Sequence, residues 1–142
     1  MTYMAGQALI KTLLLTITGT GGFGASDVTE GDVRVLDSGS TNTAVLFPGS
    51  VPPFDTVGMV REHEHEAILD LFTKFVDDTS YSTFGTLRDA VITKFDTTKA
   101  LSADYFITSI VSDGDPVELY DKQGGGPFFI TQRLRITFTE QV

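Results

Sequence analysis

Toward the end of the chain, apolar and polar positions alternate with a period of two. Phe128, Ile130, Leu134, Ile136 and Phe138 fall on one side, and Thr131, Arg133, Arg135, Thr137 and Thr139 on the other. This is the pattern of an antiparallel strand with one buried face. Residues 59–76 form the longest extended candidate. Arg61, His63, His65, Ala67, Leu69, Leu71 and Phe75 share one face; Glu62, Glu64, Glu66, Ile68, Phe72 and Val76 share the other. Its first half is polar on both faces and its second half apolar on both, so the strand is expected to start in solvent or against a partner and to end in the core. A helix over 68–76 competes, because short apolar runs do not settle the period.

Two stretches carry a helical period. Leu9, Ile10, Leu13, Leu14 and Ile17 predict an amphipathic helix over 4–17, weakened by the β-branched residues near Thr16. Phe84, Leu87, Val91, Ile92 and Phe95 stripe a second, with Thr79 or Ser80 as its cap. Short strands are expected at "VRVLDS", "TNTAVLFPG", "YFITSIV" and "VELYD", with "DGDP" a turn and "KQGGGP" a flexible loop. The prolines around Phe47, Val51 and Phe54 place those apolar residues in an exposed loop or arm. The predicted class is α+β: a mostly antiparallel sheet with two amphipathic helices packed on it, in one domain spanning 1–142. Its main core is expected where Leu134, Ile136 and Phe138 meet Phe84, Leu87 and Val91.

Composition narrows the function. Ten Lys and Arg against nineteen Asp and Glu leave a net charge of −9, which opposes general binding to nucleic acid or anionic lipid. The absence of cysteine excludes disulfides, thiolate metal sites and cysteine nucleophiles. Lys11 interrupts the apolar N-terminal stretch, unlike a secretory signal, and no segment approaches the ~20 apolar residues of a membrane span. A soluble, unsecreted protein is expected.

Three motifs invite chemistry. In "REHEHEAILDLF", His63 and His65 lie two apart on one strand face, a spacing that metal sites use, but zinc wants three or four ligands. The H-E-x-x-H pattern fails from either histidine, so a third ligand must be an acidic residue from elsewhere. "GTGGFG", residues 19–24, matches G-x-G-x-x-G but follows a helix and leaves no room for the helix that would hold a phosphate. A loop is the better reading. Arg133 and Arg135 are too few for a nucleic-acid patch and are expected to pair with carboxylates across strands. No catalytic residue, cofactor or resident metal is expected.

The whole order of elements carries more. The N-terminal helix, the long strand opening "EHEHEAILDLF", the helix "FGTLRDAVITKF" and the closing "FITSIVSDG … RITFTEQV" together resemble the tail terminator proteins of long-tailed bacteriophages, of the lambda gene U product type. The resemblance implies a non-enzymatic virion protein, assembled in the host cytoplasm. It would form a homohexameric ring on the head-proximal end of the tail, touching the tail tube protein and the head-tail connector. DNA would pass through it without specific binding. On that reading Phe47, Val51, Phe54, Arg61, Arg133 and Arg135 are contact candidates, and Glu62, Glu64, Glu66, Asp77 and Asp78 are candidates for an acidic channel wall. The alternatives are another neck or tail component, such as a connector-completion or tube protein, and a small metal-dependent enzyme using His63 and His65.

Overall fold

The computed structural model describes residues 3–19, 21–49, 62–120 and 127–141. Helix α1 (Tyr3–Leu14) leads to a short strand β1 (Val28–Glu30), a 3-10 helix (Val33–Ser38) and β2 (Asn42–Pro48). Then come β3 (Glu62–Lys74), α2 (Thr79–Thr97), β4 (Tyr105–Tyr120) and β5 (Pro127–Gln141). The five strands form one sheet in the order β1-β2-β3-β5-β4, in which only the β1–β2 pair is parallel. This is the expected α+β class.

Both helices cover one face of the sheet, here called the inner face. The alternation of β5 places Ile130, Leu134, Ile136 and Phe138 there, opposite Thr73, Leu69, Ala67 and His65 of β3. Ile10 and Leu14 of α1 and Phe84, Leu87, Val91 and Phe95 of α2 close over them in one cluster. A fully buried aliphatic side chain of this kind stabilises by about 1.5–3 kcal/mol. Phe128, expected on the buried side, is instead half exposed; it lies beyond the last β3–β5 pair, Lys74 with Phe129.

Helix α1 ends at Leu14, earlier than its apolar period. The amides of Thr16 and Ile17 turn back to the carbonyls of Leu13 and Leu14, and the Thr16 hydroxyl also donates to Leu13. The glycine-rich stretch that follows is anchored. Phe23 is buried, its amide donates to the Ile17 carbonyl, and Asn42 reaches across to the Gly22 carbonyl. Gly22 packs so closely on the Ile17 backbone that any side chain there would collide with it.

Two strand expectations are corrected. "VRVLDS" is the 3-10 helix. The Asp32 carboxylate accepts the Arg34 amide at its start, and Gly39 ends it in the left-handed region at φ 83°. Val35 and Leu36 of this helix pack on the outer face of the sheet, beside Val45, Phe47, Phe72 and Phe129. Hydrogen bonds from Arg34 hold the Asp32 carboxyl at about 2. The second correction is at "DGDP", which is a bulge inside one continuous strand. Asp113 faces Arg133 and Val117 faces Thr131, so Gly114, Asp115 and Pro116 stand against Gln132 alone. Gly114 supplies the positive φ of 87°, and the Gln132 side chain donates to its carbonyl at 2.8 Å.

The start of α2 is also made differently from the expected Thr79 or Ser80 cap. The Asp77 carboxylate accepts the Thr79 amide at 2.9 Å, and Ser80 Oγ accepts the Val76 amide at 2.9 Å. No helix among the described residues is long and apolar enough to cross a membrane.

Candidate functional site

Register decides what meets at the Glu62 end of β3. His63 faces Glu140, His65 faces Phe138, and Tyr105 of β4 faces Glu140 from the other side. Three adjacent strands thus deliver two imidazoles, a carboxylate and a phenol to one end of the inner face. The strand is expected to start in solvent or against a partner and to reach the core only in its second half; the core instead begins earlier, at His65. His65 is 7% exposed, its ring lying over Phe138 with centroids 5.3 Å apart. The apolar cross-strand partner covers the face of the imidazole, so the core extends one pair further than Ala67.

Glu140 is held from one side and open to the other. The Tyr105 hydroxyl donates to its Oε2 at 3.0 Å. Its Oε1 lies 3.5 Å from His65 Nε2 and 3.9 Å from His63 Nδ1. Burial and the adjacent Glu140 carboxylate push the Tyr105 hydroxyl above the ordinary tyrosine range. Sequence reasoning named both histidines and required an acidic third group, but did not find Glu140. The signal was there: Glu140 continues the even-numbered series of Ile136 and Phe138, so it shares their face.

The outer face carries a ladder of opposite charges. Arg133 grips Asp70 with two bonds, Nε to Oδ1 at 2.8 Å and Nη2 to Oδ2 at 3.0 Å. Arg135 reaches Glu66 at 2.8 Å and Asp113 at 3.0 Å. Both arginines therefore pair across strands, as the sequence led one to expect. Hydrogen bonding to Asp70 raises the already high pKa of Arg133.

Among the acidic wall candidates, Glu64 is exposed on this face, Glu66 is tied to Arg135, and Asp77 is occupied at the start of α2. Asp78 is exposed at the N-cap position and makes no capping bond; Glu62 pairs through its backbone with Gln141. Of the contact candidates, Val51, Phe54 and Arg61 lie outside the described residues. Phe47 is corrected: it is not in an exposed loop. Strand β2 continues to Pro48, which puts Phe47 opposite Ile68 and against the small outer cluster.

A surface that the sequence did not flag is β4 beyond Ile110. From Val111 to Tyr120 nearly every residue is exposed, whichever face it points to, and β4 is an edge of the sheet. Val111, Val117, Leu119 and Tyr120, with Phe128 on β5, are each 41% to 62% exposed. They lie along or beside the free edge of the sheet formed by the second half of β4, which its bulge and acidic residues interrupt.

No known family model and no curated protein matches the chain. One solved structure whose description carries no functional name is similar over 96% of both chains, with a TM-score of 0.50 and 16% identity. At that identity the likeness speaks to the fold alone.

Proposed function

We propose that this chain is a ring-forming structural protein of the phage tail terminator type. Copies join head-to-tail into a hexamer on the tail tube, stop its growth and offer a face to the head connector. The observation that carries this reading is the exposed apolar edge along the second half of β4. Large apolar side chains exposed together on a protein surface mark a contact site. An apolar sheet edge on one side of a subunit is suited to a heterologous contact, which closes into a ring when the rotation per subunit allows. The order of elements and the resemblance of "FITSIVSDG" and "RITFTEQV" support the same assignment. Nothing in the role requires enzyme chemistry. A charge of −9 on every copy opposes retention of the DNA that would pass through.

Electron microscopy of the purified protein, alone and with tails, tests the reading. Six-fold rings at one end of each tail are expected. Val117→Asp with Leu119→Asp should abolish them without lowering the melting temperature, since both residues are exposed. Rings stacked along the whole tail would mean a tube subunit instead. A protein that stays monomeric at all concentrations and leaves tails unchanged would refute the assignment. In rings, Glu62→Lys with Glu64→Lys should slow DNA ejection if those residues line the channel.

A further inference from the structure

We infer that His63, His65 and Glu140 form a site for a divalent metal ion of the zinc class, with Tyr105 as the residue that positions the carboxylate. The three donor atoms lie within 4.8 Å of one another. The bland alternative is a histidine–carboxylate hydrogen bond, and the spacings argue against it. Hydrogen bonds of this kind close to about 2.7–3.2 Å, whereas Glu140 Oε1 stands 3.5 Å from one imidazole nitrogen and 3.9 Å from the other.

Those separations suit donors that share an ion. With metal–donor bonds of about 2.1 Å, tetrahedral ligands sit about 3.4 Å apart. The same bonds at the right angles of an octahedral face would bring them to about 3.0 Å. The His65–Glu140 distance matches the tetrahedral value. The His63–Glu140 distance is about half an ångström too wide for that geometry, so His63 must move toward Glu140 when the ion binds. His63 is the more exposed imidazole, with 24% of its side chain accessible against 8% for His65 and 13% for Glu140. The ion enters from that side, and its fourth position faces solvent, as in open zinc sites.

The surroundings fit a metal centre in two further ways. Tyr105 holds Oε2 and turns Oε1 toward the imidazoles, the outer-shell role that orients a ligating carboxylate. Phe138 and the core beneath His65 fix that ring in place. The ion would join the first pairs of β3 to the last of β5. This inference does not depend on ring formation, and its test reads metal binding alone.

The untagged full chain, stripped with chelator, is titrated with Co2+ and then Zn2+. One Co2+ per chain is expected, with the intense visible bands of a four-coordinate ion, lost again on addition of Zn2+. These are the only two histidines in the chain, so the imidazole signals in the NMR spectrum of the unaltered protein report on the site directly. Zn2+ should shift both together. Glu140→Gln keeps size and the Tyr105 hydrogen bond but removes the anion, and His63→Ala changes a partly exposed residue; each should weaken binding at least tenfold. Tyr105→Phe should weaken it about 10- to 100-fold while leaving the stoichiometry at one. The proposal fails if Zn2+ leaves either imidazole signal unmoved, or if binding survives both Glu140→Gln and His63→Ala.

Discussion

Gly6→Ala sets two well-known effects against each other. In a helix, alanine is favoured over glycine by about 0.8–1.0 kcal/mol, so α1 viewed by itself should gain stability. The packing says otherwise. A Cβ at position 6 would lie 2.2 Å from Cε2 and 2.9 Å from Cζ of Phe138, against the ~3.5–4.0 Å of ordinary carbon contacts. Phe138 has no exposed surface and is flanked by the rings of His65 and Tyr105, so it has nowhere to swing. Overpacking of this kind costs about 1–3 kcal/mol, and the depth of the overlap puts this site in the upper half of that range. After the helix gain, the net loss should be about 1–2 kcal/mol, or a fall in melting temperature of ~2–4 °C per kcal/mol for a chain approaching 150 residues. Urea melts of the wild type and Gly6→Ala measure it. The decisive comparison is made in a Phe138→Leu background, where Cε2 and Cζ are gone. There Gly6→Ala should become neutral or stabilising. A Gly6→Ala protein more stable than wild type, or a penalty unchanged by Phe138→Leu, would refute the steric account.

Leu87→Ala empties a fully buried position under α2 and should cost ~2–5 kcal/mol; a loss under ~0.5 kcal/mol would mean that α2 is not packed on the sheet. Hydrogen bonds from Thr79 depress the Asp77 pKa, so its contribution is present above the ordinary carboxylate range and lost as pH falls through the depressed value. Asp77→Ala should therefore lower the melting temperature at neutral pH, with the gap closing in acid; a gap that stays constant with pH would exclude the carboxylate as the cause. A double-mutant cycle on Arg133 and Asp70 should give a coupling of about 0.5–1 kcal/mol, the upper end for an exposed pair because the contact is two-pronged. The coupling should shrink with added salt, and a salt-independent value would contradict the exposure of Arg133.

What was legible in the sequence followed from periodicity. Strand β5 and the stripes of both helices announce themselves, because each buries one face and leaves the other polar; β3 is marked instead by its length and by the apolar run that carries Ala67, Leu69 and Leu71 into the core. The failures have specific causes. "VRVLDS" alternates over three residues and looks extended, but Asp32 and Gly39 bracket a tight helix that packs Val35 and Leu36 against the outer face of the sheet. "DGDP" has turn chemistry, yet the partner strand continues past it, and only pairing with β5 reveals a bulge. Phe47 was misplaced because the prolines that follow it suggest a loop, whereas pairing with β3 keeps β2 extended through Phe47 to Pro48. The cluster around His63 was half visible. The histidines share a face by simple alternation, but meeting Glu140 and Tyr105 depends on the register of residues tens of positions apart, which local pattern does not encode.

The order β1-β2-β3-β5-β4 has a consequence for how the protein is made. Strand β5 lies in the middle of the sheet, between β3 and β4, yet it is the last strand in chain order. On the ribosome, everything through β4 must wait: Leu69 and Leu71 have no neighbour on one side, and α2 has only part of the surface it covers. When β5 emerges it can pair first with β4, across a short connection, and then must capture β3 from the far side of α2. That second closure joins residues as distant as Glu66 and Arg135, and ordering so long a loop is slow. The interval before it is when the nascent chain is most exposed to aggregation. A premature stop anywhere before Pro127 would therefore remove the strand that unites both halves of the sheet, and should yield no folded remnant.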